Sequence, residues 1–141
     1  MKTINTELIE KISTLNEKVI KFSEIKVFKE TGITLGQFNI LSELIDNNLK
    51  TINELKVNLL VSAPALSQIL WRMELSWLIL REINKQNKRE TNIIITKKAI
   101  KIYEELSQKY NDMTHKKLSN LSEDDKNKLI KLLDELNEKC F

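Results

Sequence analysis

The sequence is poor in the residues that make turns and cross-links. Its 141 residues include only two Gly, one Pro and one Cys. So few turn formers leave little material for tight turns and flexible linkers. The abundant Leu, Ile, Lys, Glu and Asn favour long helices instead. The lone Cys140, one residue from the end, excludes an intramolecular disulfide and any cysteine-based metal cluster. A reducing compartment is the simple expectation. No apolar run approaches the ~20 residues that span a bilayer, and the opening Met1-Lys2-Thr3-Ile4-Asn5-Thr6-Glu7 lacks the apolar core of a signal peptide. The expected location is therefore the cytoplasm, with no membrane partner. No Gly-rich phosphate loop, nucleophile motif or pair of catalytic carboxylates on a defined scaffold is present, so no enzymatic activity and no cofactor are expected. A net charge of +3 is too mild to argue for nucleic acid by itself; only its placement is informative.

With 41% hydrophobic and 30% charged residues, the chain suits one globular domain spanning 1–141. Leu8, Ile12, Leu15, Val19 and Phe22 recur at steps of four and three, an apolar stripe on a long first helix that ends by Gly32. Thr34-Leu35-Gly36-Gln37 reads as a capping box opening a second helix through Phe38, Leu41, Leu44 and Ile45, closed by Asp46-Asn47-Asn48. Thr51-Ile52-Asn53-Glu54 is a second capping box, opening a short helix that turns Leu55 and Leu59 inward. Ser62 caps the next helix, whose Pro64 falls in the first turn, where a missing N–H costs nothing. Its inner face is Leu66, Ile69, Leu70 and Met73. After Trp77 the period changes: Leu78 to Ile83 and Thr91 to Thr96 read as two strands around the polar stretch 84–90, a hairpin with a basic tip. Two more helices follow, one from Lys97 through Ile100, Tyr103, Leu106, Tyr110 and Met113 to Leu118, the other capped by Ser122 and carrying Leu129, Leu132, Leu133 and Leu136.

A mainly α chain in which a short helix, a tight turn and a second capped helix run straight into a basic hairpin has the layout of a winged helix-turn-helix. Such a device needs a helix with small or polar residues on its outer N-terminal face, to enter the major groove, and cations on the hairpin for phosphate or the minor groove. Ser62, Ala63, Pro64, Ala65, Ser67 and Gln68, with Arg72 a turn later, meet the first need; Lys85, Lys88 and Arg89 meet the second. The bland alternative has Ser62 only capping, Arg72 only solvating a helix, and the hairpin cations only protecting a strand edge.

From about Ile33 to Ala99 the sequence resembles the MarR (multiple-antibiotic-resistance regulator) family of transcription factors and the related SarA-type regulators. Ile33-Thr34-Leu35-Gly36-Gln37-Phe38-Asn39-Ile40-Leu41 is similar to the start of that family's second helix. Val61-Ser62-Ala63-Pro64-Ala65-Leu66-Ser67-Gln68-Ile69-Leu70 is similar to its recognition helix, and Asn87-Lys88-Arg89 followed after six residues by Thr96 to its wing signature. The resemblance implies a winged helix-turn-helix over 34–96 with a two-stranded hairpin wing, dimerisation helices over 1–33 and 97–141, and a homodimeric regulator of double-stranded DNA, a repressor on an inverted-repeat operator. Five positions depart from the pattern. Asn87 replaces the wing's Asp, Trp77 stands at a Gly turn, Gln68 replaces a frequent Arg, and Ala63-Pro64 replace more polar residues. A weaker charge pair in the wing, an altered turn into the first strand and a less cationic recognition face are the expected consequences.

The apolar faces of the terminal helices are too extensive to leave in water. They can pack on each other within one chain or interdigitate between two. Two-fold DNA readers set two recognition helices about 34–36 Å apart, which favours the dimer. Regulators of the resembling family respond to aromatic molecules, metals or peroxide. One His and one Cys are too few for a metal site; His115 reads as an exposed helix residue and Cys140 as inert. A small organic effector would need a crevice, for which Phe22, Trp71, Tyr103 and Tyr110 are the aromatic candidates, although aromatics at helical spacing are more often core. The competing function is a winged helix that has lost DNA binding and docks a protein, to which Ala63, Pro64, Trp71 and Trp77 lend an apolar surface.

Overall fold

A computed structural model describes residues 1–25 and 28–141, with the side chains of 23–25 left aside. The chain forms two compact units, Met1–Ser107 and Gln108–Phe141. In the first unit, α1 (Ile4–Ile25) carries the striped face. The expected continuation of this helix toward Gly32 falls partly outside the described residues. α2 (Leu35–Ile45) begins at the Thr34 capping box: Thr34 Oγ1 accepts from Gln37 N at 3.2 Å, and Gln37 Oε1 accepts from Thr34 N at 3.0 Å. α3 (Ile52–Leu59) starts the same way, Thr51 Oγ1 accepting from Glu54 N and Glu54 accepting from Thr51 N. Ser62 caps α4 (Ala63–Leu75) by accepting from Ala65 N, with Pro64 in the first turn. These caps satisfy backbone donors that a helix start leaves open, and they set where each helix begins.

β2 (Ile79–Ile83) and β3 (Thr91–Ile95) form the antiparallel hairpin, in a register that sets Ile79 opposite Ile95 and Ile83 opposite Thr91. The sheet has three strands where the sequence suggested two. The extra strand, β1 (Leu49–Thr51), lies on the other side of β3, pairing Leu49 with Ile94 and Thr51 with Asn92, so the order is β1-β3-β2. Three residues carry no readable alternation; β1 is extended because the free edge of β3 offers it a ladder.

The core lies where α2, α3 and α4 close on one another and on the sheet. Ile40, Leu41 and Leu44 of α2, Leu55 of α3, Leu66, Leu70 and Met73 of α4, Ile79 of β2 and Ile93 of β3 are all fully buried. α5 (Lys97–Lys117) adds Ala99 and Leu106. Gly36 permits the close approach of α2 to α4, since a Cβ there would come within 3.2 Å of Ile69 Cδ1. In the second unit, α6 (Glu123–Cys140) is capped by Ser122, which accepts from Asp125 N, and it contains no buried residue.

Trp77 resolves one of the sequence departures. Its φ of 57° is left-handed, the conformation Gly adopts without a Cβ penalty, so the turn after α4 keeps a shape that suits Gly despite a bulky residue. The turn is held from both sides: Trp77 N donates to Glu74 O, and Thr96 Oγ1 reaches Trp77 O at 2.9 Å. Since the indole is 69% exposed, little packing opposes its removal. Trp77→Gly is expected to raise stability by up to about 1 kcal/mol, and Trp77→Val to lower it by about 1 kcal/mol, because β-branched residues tolerate this region poorly. Urea unfolding followed by circular dichroism measures both; a Gly variant less stable than the parent would show that Trp77 packing outweighs backbone strain.

Candidate nucleic-acid interface

The rotation of α4 follows from its buried side. With Leu66, Leu70 and Met73 in the core, Ser62, Ala63, Pro64, Ala65, Ser67, Gln68 and Arg72 are all exposed, as the sequence predicts. The helix therefore presents small, polar and hydrogen-bonding groups over its first two turns. Its N-terminal end carries the positive end of the helix dipole, which favours an anionic partner.

The hairpin tip is a hydrogen-bonded turn. Asn84 N donates to Glu90 O at 3.0 Å, Asn84 Oδ1 accepts from Gln86 N and Asn87 N, and Asn87 Oδ1 accepts from Arg89 N at 3.2 Å. Asn87 thus supplies the local acceptor that an Asp would offer, without its charge. Lys85, Lys88 and Arg89 are exposed and join no ion pair among the described residues. Lys85 also lines a recess of about 620 Å³ between the wing base and β1, shared with Glu54 and Glu82. Lys88 and Arg89 stand outside that recess.

Sequence reasoning missed a feature beside α4. A cleft of about 560 Å³ is lined by Pro64, Ser67, Gln68, Trp71, Glu74 and Arg81, where Arg81 Nε of β2 meets Glu74 Oε2 of α4 at 3.0 Å. This pair joins two elements seven positions apart, which no single-helix or single-strand pattern reveals. The aromatic candidates for an effector crevice are also sorted. Tyr103 stacks on Phe38, ring centroids 5.2 Å apart, and its hydroxyl lies 3.3 Å from Ser42 Oγ, while Trp71 is on the outer face of α4. Tyr103 is taken up by packing on α2. Phe22 and Tyr110 are half-buried, and His115 and Cys140 are exposed.

The scaffold behind the interface is tied by one carboxylate. Glu43 of α2 accepts from Lys50 Nζ of β1 at 2.7 Å and from Asn58 Nδ2 of α3 at 2.8 Å.

Fold and site together define a winged helix-turn-helix protein. Over 116 residues, 82% of this chain and 78% of the relative, the sequence is 32% identical to the HTH-type transcriptional regulator MgrA of Staphylococcus aureus. MarR of E. coli, solved as a mutant complexed with operator DNA, has a TM-score of 0.85 at 25% identity, covering 96% of this chain and 99% of that one. MepR of S. aureus, solved in complex with DNA, has a TM-score of 0.81 at 24% identity over 98% of both chains. An organohalide-sensing regulator in its 2,4-dichlorophenol-bound form has a TM-score of 0.89 at 20% identity, over 99% of this chain and 83% of that one. The last two likenesses speak for the fold alone. No family model matches the chain. The chain belongs to the MarR family of transcriptional regulators.

The hydrogen bonds from Lys50, then Asn58, hold the Glu43 carboxyl below its ordinary value. A carboxylate lowered in the folded state stabilises above its unfolded pKa, and that stabilisation is lost as pH falls through the lowered value. With the Lys50 and Glu43 side chains 19% and 28% exposed, the contribution at neutral pH is about 0.5–1 kcal/mol. Glu43→Gln is expected to cost that much at pH 7 and to flatten the fall in stability on acidification below about pH 4.5. Thermal unfolding across pH 3–7 tests this; parallel curves for parent and variant would contradict it.

Proposed function

We propose that the protein is a sequence-specific DNA-binding transcriptional regulator without enzymatic activity, acting in the cytoplasm as a homodimeric repressor on an inverted-repeat operator. The observation that carries this reading is the outer face of α4, where Ser62, Ala63, Ala65, Ser67 and Gln68 stand exposed over a fully buried inner stripe. Gln can pair with adenine at N6 and N7, and Ala methyl groups suit the thymine methyl, so this face fits an A·T-rich site. Lys88 and Arg89, exposed and in no ion pair among the described residues, fit the phosphate backbone or minor groove. The MarR structure solved with operator DNA agrees with this reading. No helix among the described residues is long and apolar enough to cross a membrane.

The dimer rests on apolar side chains that one chain leaves uncovered. Leu8, Leu15 and Val19 of α1 and Leu129, Leu132 and Leu133 of α6 are all exposed. Faces of this kind are buried by a partner surface. Trp71, Leu75 and Trp77 are exposed as well and favour the second reading, a winged helix that docks a protein instead of DNA.

Salt separates the two readings, because a DNA reader loses affinity as salt rises and a protein adaptor shows little duplex binding at any salt. Arg89→Ala is expected to weaken binding to every duplex and to flatten the salt dependence by roughly one unit of slope. Gln68→Ala should cost about 1–3 kcal/mol on the preferred site and little on random DNA. Identical, uniform losses from both variants would mean that α4 does not read bases. Sedimentation at micromolar concentration is expected to give twice the 16.5 kDa of one chain; a monomer throughout would overturn the dimer.

A further inference from the structure

Pro64, Ser67, Gln68 and Trp71 follow one another at i, i+3, i+4 and i+7, a single stripe along α4, and all four line the cleft that Glu74 and Arg81 close. At 1.5 Å per residue, Trp71 stands roughly 10 Å along the helix from Pro64, a distance comparable with the ~12 Å width of the major groove. When the first turns of α4 reach base edges, Trp71 therefore arrives at the groove rim, where the sugar-phosphate backbone runs. The indole is 58% exposed, although a hydrophobic ring of that size is ordinarily covered.

The charge of the cleft fits the same occupant. A bare Glu74 carboxylate beside a phosphate would repel it, but Arg81 lies 3.0 Å away and offsets that charge, while Arg72 next to Trp71 is exposed and joins no ion pair among the described residues. A charge-balanced Glu74–Arg81 pair and an aromatic wall suit one strand of a duplex.

We infer that the cleft between α4 and β2 seats the sugar-phosphate backbone of one DNA strand, with Trp71 packing its indole on a deoxyribose and directing its N–H to a phosphate oxygen. This inference rests on the proposed reading of α4 as the helix that enters the groove. It adds an uncharged contact, which displaces no counterion and so stabilises the complex about equally at low and high salt. Trp71 is in this respect the opposite of Arg89.

The test uses the full-length protein and a fluorescently labelled A·T-rich duplex, titrated at several salt concentrations. Trp71→Ala is expected to weaken binding about tenfold with an unchanged salt slope, and Trp71→Phe to recover part of the loss by restoring the apolar contact. Independently, in the Trp77→Phe protein Trp71 is the sole tryptophan, and its emission should shift to the blue and resist acrylamide quenching when duplex saturates the protein. If the parent binds DNA yet Trp71→Ala binds equally well, or Trp71 emission is unmoved at saturation, the inference falls while the DNA-binding reading stands. A change in salt slope in Trp71→Ala would also overturn it. If the parent binds no duplex at any salt, both fall together. Circular dichroism of each variant confirms that an exposed side chain was removed from an intact fold.

Discussion

Burial of Leu66, Leu70 and Met73 under α4 fixes the rotation of that helix, and the rest of the interface depends on it. Half a turn of rotation would carry Gln68 toward the core and Leu66 into solvent, at a cost of about 1.5–3 kcal/mol for the exposed leucine alone. The inner stripe therefore aims the outer one. α2 meets α4 closely at Gly36, β2 follows it through the left-handed turn at Trp77, and Thr96 closes that turn while accepting from Ala99 N at the start of α5. The wing is thus positioned from the same packing that aims α4.

A second constraint is electrostatic and modest. Glu43 links α2, β1 and α3 through Lys50 and Asn58, and Glu74 links α4 to β2 through Arg81. Partly exposed pairs of this kind contribute little to global stability. Their effect is on register, since each ties neighbouring elements of the winged helix together. The exposed cations of the wing join no ion pair among the described residues.

Much of this was legible in the residues. The caps at Thr34, Thr51 and Ser62 are local chemistry, and the structure uses the same side chains the sequence suggested. The apolar period located the core positions of α2 and α4 for the same reason. β1 was not legible, because a three-residue strand owes its conformation to a neighbour 45 positions later, as Leu49 does to Ile94. The cleft under Trp71 was hidden likewise, since it needs Arg81 of one element to meet Glu74 of another. The sequence makes Trp71 a candidate for an effector crevice or an apolar docking face; the fold adds that it lines one cleft with Ser67 and Gln68. Leu8 and Leu15 of α1 and Leu129, Leu132 and Leu133 of α6 stay exposed, and the proposed dimer is what would cover them.

The central claim, that two copies of α4 enter successive major grooves of one duplex, is tested most directly by footprinting the protein on its selected DNA site with hydroxyl radicals. Two equivalent protected patches related by two-fold symmetry are expected, their centres one helical turn, about 10–10.5 base pairs, or a multiple of it apart. A single patch, or protection spread evenly with no two-fold pattern, would contradict it.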